Sequence, residues 1–299
     1  MATVIGKGFQ GTLSRDIGDY PDGLVIPVDK PYRWTSADVI RKIKYLAIRH
    51  FGKKNLKVGH AGTLDPLATG VLIVCMGKAT RLAQSIQDGE KEYLASVSFG
   101  ATTASYDLEK PLEGSFPYSH IGRENLLEAL GGLCGTYGQI APLFSAKSVE
   151  GVRAYELARK EYAAAMREGR PFDPGEVLHR NMVTVSEAEL VSWSPSGGIL
   201  PSYDGPANMK DARIKVNSEG AAALPQAVVR IRCSKGTYIR AFARDLGEAL
   251  GSGAFLSGLI RSRCGSFSLS DAVSVNDAAR MFYGGCESSK VIQATPGTI

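Results

Sequence analysis

Strand and helix patterns alternate along this 299-residue chain, and they predict a mixed α/β (α+β) fold. Three observations carry the prediction. Residues 71–76, VLIVCM between two glycines, form an apolar run of strand length, as a buried strand requires. Tyr93, Ala95, Val97 and Phe99 alternate with Leu94, Ser96 and Ser98, the period of a half-buried strand. Two sets recur at helical spacing: Val39, Ile40, Ile43, Leu46 and Ala47, then Ile239, Phe242, Ala243, Leu246, Ala249 and Leu250. The second set leaves Arg240 and Arg244 one turn apart on another face.

Taken in order, residues 1–23 are rich in Gly and Asp and read as a loosely held N-terminal arm. GKGFQG at 6–11 has the spacing of a dinucleotide fingerprint, but Gly18, Pro21 and Gly23 deny it a following helix, so it is rejected. LVIPVDKP (24–31) reads as a strand, after which Thr35 or Ser36 caps the first helix. A loop rich in Gly and Pro leads to the strand at 71–76, a short helix around Leu82 and Ile86, and the strand at 93–99. Helical patterns recur near 124–133 and 152–167, strand patterns near 177–191 and 227–233, and a strong helix at 237–250. Between 194 and 225 the chain turns to Pro, Gly, Ser and Asn, a long surface loop with strand patterns on both sides.

Composition excludes several classes. At 44% hydrophobic and 22% charged the chain suits a folded core and not a disordered one. No stretch approaches the roughly 18 apolar residues of a membrane span. The start lacks a secretory or transit signal, so a cytoplasmic location is expected. Five cysteines without a C-x-x-C pair, and four histidines without a paired spacing, point to free thiols and no metal.

The net charge of +5 is mild, but its placement is not. Residues 39–64 hold Arg41, Lys42, Lys44, Arg49, Lys53, Lys54 and Lys57 without one acid, and residues 225–244 hold Arg230, Arg232, Lys235, Arg240 and Arg244 likewise. Fixed cations without intervening acids are what a polyanion partner requires. Between the cationic helix and the buried strand lies KVGHAGTLDPLATG (57–70), with one carboxylate, Asp65, in an irregular loop. Alone, an aspartate before proline is a turn residue; in a loop held by rigid elements it is a candidate for chemistry.

The whole string resembles the bacterial tRNA pseudouridine-55 synthases, the TruB family. The pattern G-H-x-G-x-L-D-P-x-A-x-G-x-L is met by Gly59, His60, Gly62, Leu64, Asp65, Pro66, Ala68, Gly70 and Leu72. Lys91-Glu92-Tyr93 resembles the family's K-x-Y strand. Gln139 to Arg159, with Ser145-Ala146 and RAYELAR, resembles the block before its thumb, and CSKGTYIR (233–240) and LIRSRCG (259–265) resemble its last two blocks. Three positions depart: Arg33 replaces the glycine of K-P-x-G, Lys147-Ser148 reverses the usual order, and Ala104 stands where T-D-T has aspartate.

The resemblance covers about 24–269 and implies one catalytic domain of the pseudouridine-synthase fold, a mixed, largely antiparallel sheet with a central RNA-binding cleft. Only 30 residues follow. No complete C-terminal PUA domain is therefore expected; the tail, 270–299, should add a helix near 276–283 and a loose end. The implied reaction isomerises uridine to pseudouridine at position 55 in the tRNA T loop, with the base flipped out and no cofactor. The implied roles are Asp65 as catalytic carboxylate, Tyr93 stacked on the uracil, Arg240 paired with Asp65, Tyr238 and Leu259 lining the pocket, His60 at the RNA loop, and Lys30 either steadying the fold or reaching phosphate. The expected partner is the T stem-loop of tRNA, bound by a monomer. Two other readings are a guide-RNA-dependent relative, which would need a full RNA-binding domain and partner subunits, and a non-catalytic tRNA-folding chaperone, which would not need Asp65, Tyr93 and Arg240 together.

Overall fold

The computed structural model describes residues 1–9, 11–142, 160, 164–165, 167–168, 180–199 and 214–283. Most of the expected helix at 152–167, the Ser145-Ala146 and RAYELAR blocks, much of the 194–225 loop and the last sixteen residues lie outside them. The chain divides into two units, one comprising Met1–Gly89 and the residues from Arg261 onward, the other Glu90–Asp204 and Arg213–Ile260.

In the first unit, β1 (Thr3–Val4) lies parallel to β2 (Leu24–Lys30). The arm is thereby pinned: Ile5 donates to the Val25 carbonyl at 2.8 Å, and both Ile5 and Leu13 are buried. Two apolar residues isolated among glycines and acids carry no period, which is why the arm reads as loose. Helix α1 (Ser36–Phe51) opens with Thr35 and Asp38 each bonding the other's backbone and closes on left-handed Gly52, so both ends are capped by local chemistry. Its face of Val39, Ile43, Leu46 and Ala47 is buried as its period requires. β3 (Val58–His60) and β2 both run antiparallel to β4 (Ala68–Met76), and α2 (Ala83–Asp88) follows a short 3-10 turn.

The second unit opens with β5 (Lys91–Phe99), then β6 (Thr102–Thr103) paired with β7 (Leu112–Glu113), α3 (Arg123–Gly132), β8 (Gly135–Ile140), β9 (Arg180–Ser194) and β10 (Gln226–Cys233). β10 pairs antiparallel with both β5 and β9, and β9 with β8. After α4 (Ile239–Ala249), β11 (Ala254–Cys264) begins here and ends in the first unit.

Back in the first unit, β12 (Phe267–Ser268) folds onto the end of β11, β13 (Val273–Ser274) joins β2 in parallel, and α5 (Val275–Tyr283) follows. α5 buries Ala278 and Phe282. The Phe282 ring meets His50 and Phe51 of α1 edge-on, at 5.6 and 6.2 Å between centroids.

Candidate active site

The loop that bears Asp65 is braced from four directions within the first unit. At its entrance, Ala61 donates to the Ile73 carbonyl at 2.9 Å, continuing the β3–β4 ladder. At its middle, the Ser36 hydroxyl on the first turn of α1 accepts from Leu64 N at 2.9 Å and donates to Leu64 O at 3.1 Å. At its exit, Pro66 O accepts from Arg33 N at 2.9 Å and from Lys30 Nζ at 3.2 Å. Across its base, the Arg261 guanidinium, 1% exposed, donates to the carbonyls of Val71 at 2.8 Å, Thr63 at 3.3 Å and Gly62 at 3.1 Å. Asp65 itself stands at the turn closed by Ala68 N on Asp65 O. Leu64 and Ala68 are buried beside it, so the backbone is anchored while Asp65 as a residue is only partly buried.

This bracing explains the spacing of the motif. Gly70 has φ +99°, and a β-carbon there would sit 2.3 Å from the Arg261 carbonyl, so only glycine fits. Leu64 and Leu72 fill the core.

Lys30 is placed differently from the outward reach that phosphate contact requires. It is 0% exposed, and its ammonium donates to the carbonyls of Trp34 at 2.5 Å, Pro31 at 3.0 Å and Pro66 at 3.2 Å. Three acceptors take its three protons. Its work is therefore internal: it ties the K-P turn to the Asp65 loop. Burial pushes this ammonium down to about 7, against the pull of the nearby Asp65 carboxylate. Arg33, in the position of the usual glycine, holds φ +64°, so the left-handed turn persists with a side chain in it.

His60 ends β3 half-buried, its Nδ1 without a hydrogen-bond partner among the described residues. Burial first, and the Arg261 charge second, lower its pKa and favour the neutral ring.

The other expected site residues belong to the second unit. Tyr93 is buried on β5, opposite Ile231. Tyr238 stands at the N-terminal boundary of α4, where the Gln139 side-chain amide grips its backbone, accepting from Tyr238 N at 2.8 Å and donating to Tyr238 O at 3.2 Å. Leu259 is buried on β11. Arg240 is 4% exposed; its Nε lies 3.7 Å from Asp107 Oδ2, and it donates to Ser105 O at 3.1 Å. Asp107, itself buried, accepts from the Ser105 hydroxyl at 2.6 Å and from Glu109 N at 2.9 Å.

Arg244 is also buried, forked onto Asp245 at 2.9 and 2.7 Å with its guanidinium over the Tyr106 ring at 5.6 Å. The face of α4 that bears Arg240 and Arg244 is thus built into the unit. Sequence reading gives Asp107, Gln139, Ser36 and Arg261 no role at the site, because the contact each makes here, with Arg240, Tyr238, Leu64 and Val71 respectively, joins residues remote in the chain.

The second acid-free segment does not form a free cationic surface. Arg230 pairs with Glu189, and Arg232 with Glu92 and Glu187, acids that the β9 and β5 registers set beside them. The first segment differs: Lys44, Lys53, Lys54 and Lys57 are exposed and make no ion pair among the described residues. Among those residues, too, no group of three His, Cys, Asp or Glu side chains converges to hold a metal, and no helix is long and apolar enough to cross a membrane.

Residues 49–190 match the family described as TruB family pseudouridylate synthase, N-terminal domain. A tRNA pseudouridine synthase B of Phocaeicola vulgatus is 44% identical over 86% of this chain and 92% of its own length. That of Bacteroides fragilis is 41% identical over 84% and 90%. A crystal structure of a Cbf5–Nop10–Gar1 complex superposes on 93% of this chain with a TM-score of 0.56 at 23% identity, a likeness of fold; this chain spans only 61% of the chain it matches there. The identity to these relatives over most of the chain defines a pseudouridine synthase. Within that class, the chain belongs to the tRNA pseudouridine synthase B family.

Proposed function

We propose that this enzyme converts the uridine at position 55, in the T loop of tRNA, to pseudouridine, with Asp65 as the catalytic carboxylate. The observation that carries the reading is the Asp65 loop: four independent braces fix its backbone while Asp65, its single acid, stays only partly buried. The reaction breaks the bond from N1 of the base to the ribose, turns the base and rejoins it through C5. A proton leaves C5 and N1 gains one, so electrons balance without a redox partner or energy source. An ionised carboxylate serves this chemistry by attacking ribose or base, or by taking a ribose proton.

Arg240 is the proposed cationic partner of the Asp65 carboxylate, its planar fork matching carboxylate geometry. Asp107 and Ser105 hold Arg240 in place. Tyr93 offers a flat face to the detached uracil, Tyr238 and Leu259 line its pocket, and neutral His60 meets the RNA loop.

The test is tRNA carrying tritium on C5 of uridine. Release of label to water, lost when the T-loop uridine at position 55 is replaced by cytidine, supports the reading. Label release that persists with that replacement overturns the assigned position, and no release at all overturns the activity.

A further inference from the structure

We propose that the outer face of α1, with the turn after it, is a second RNA contact that grips the backbone of the substrate's stem away from the target uridine. The inference rests on the reading of the chain as a tRNA-modifying enzyme and adds a surface to it.

Three observations support it. The first is a run of exposed cations in which Lys44, Lys53 and Lys54 make no ion pair among the described residues. Arg41, Lys44, Tyr45 and Arg49 fall on one stripe of α1 by their spacing of three and four, opposite the buried Val39, Ile43 and Leu46, and all four are exposed. Lys53 and Lys54 extend the stripe past Gly52, exposed and without an ion pair among the described residues. The acid at hand, Asp38, pairs with Arg41 at the near end, 2.8 Å away. The cations of the other acid-free segment are cancelled by neighbouring strands, so the positive field of these two segments is concentrated here.

The second is preorganisation. Arg49 lies over the Tyr45 ring at 5.6 Å and donates to the Tyr45 hydroxyl at 2.9 Å. Stacking and hydrogen bond together hold the guanidinium against an exposed ring, in a fixed orientation that suits a planar fork to phosphate.

The third is reach. α1 begins at Ser36, which is bonded to Leu64 beside Asp65. With about 1.5 Å of rise per residue, Lys44 lies about 12 Å and Arg49 about 20 Å along the helix from that point. Cations spread over that length are placed for RNA backbone away from the target uridine, in the stem.

The experiment compares the full chain with its Lys44→Ala, Lys53→Ala, Lys54→Ala triple variant. Each is bound over a salt series to whole tRNA and to a hairpin cut to the T loop with the shortest stem that pairs. The expected result is a loss of affinity for tRNA of about tenfold or more, with the slope of log Kd on log salt reduced by about 2, and little change on the cut hairpin. Unchanged tRNA binding overturns the proposal. Equal losses on both RNAs also overturn it, since that outcome is general attraction without a stem contact. Binding is read independently of turnover, so a wild-type enzyme that releases no tritium refutes the proposed function and leaves this test standing.

Discussion

The ammonium of Lys30 donates to the carbonyl of Pro66, one residue past Asp65, at 3.2 Å. The Asp65 loop is therefore tied to a lysine whose charge burial holds near its tipping point, at about 7. Asp65, Asp29 and Asp38 favour the charged form, while desolvation and Arg261 oppose it. An unfolded lysine titrates near 10.5, so between these values the unfolded chain holds a proton that the folded chain lacks. This group's contribution to stability then rises with pH, by up to about 1.4 kcal/mol per unit. Relative to Lys30→Met, the wild type should gain stability from pH 7 to 9 in urea unfolding. Parallel curves for the two proteins would refute the shift.

Asp65→Asn should lower single-turnover pseudouridine formation by about 10³-fold or more, because on the proposed assignment the nucleophile or base is removed outright. Affinity for tRNA should stay within a few fold, since one carboxylate among many cations adds little to binding. Residual activity within tenfold of wild type would assign the chemistry to another group.

Arg240→Lys keeps the charge and loses the fork. It should slow turnover by about 10²-fold, as expected when a planar guanidinium serves a carboxylate and a carbonyl together. Asp107→Asn should lower the unfolding free energy by about 3 kcal/mol, because it removes one partner of a buried ion pair. Chemical denaturation measures the second effect and rapid quench the first.

Two backbone positions should respond in opposite directions. Arg33→Gly relieves a left-handed φ of +64° and should raise the melting temperature, by an amount equivalent to about 1 kcal/mol or less. Gly70→Ala places a β-carbon 2.3 Å from the Arg261 carbonyl and should cost more than about 3 kcal/mol, or prevent folding. A neutral Gly70→Ala would mean that β4 and β11 separate readily at this point.

Local signals account for what could be read from the amino acids. β2, β4, β5, α1 and α4 carry their period or their apolar run within their own residues, and the Asp65 loop is a contiguous string. The rest depends on partners that arrive from elsewhere in the chain. Arg230 and Arg232 look like free cations until strand register sets Glu189, Glu187 and Glu92 beside them. Lys30 resembles a surface lysine until three carbonyls from two loops enclose it. Asp107 lies in no matched motif, and the blocks that contain Gln139 and Arg261 do not announce what those side chains hold. Arg33 shows the converse: the φ expected of a glycine is kept without the glycine.

The brace that Arg261 supplies has a consequence for how the enzyme is made. The guanidinium bonds the carbonyl of Val71, 190 positions earlier in the chain. A ribosome adding about 5 to 20 residues per second exposes the aspartate loop roughly 10 to 40 s before the arginine that clamps its base has been synthesised. Helix α1 waits still longer, because Phe282, which closes over His50 and Phe51, comes after Arg261. The nascent protein thus carries its motif complete but its geometry unfinished. Arrested chains ending before Arg261 should be protease-sensitive across residues 57–70, while the second unit, whose strands are contiguous in synthesis, gains protection first.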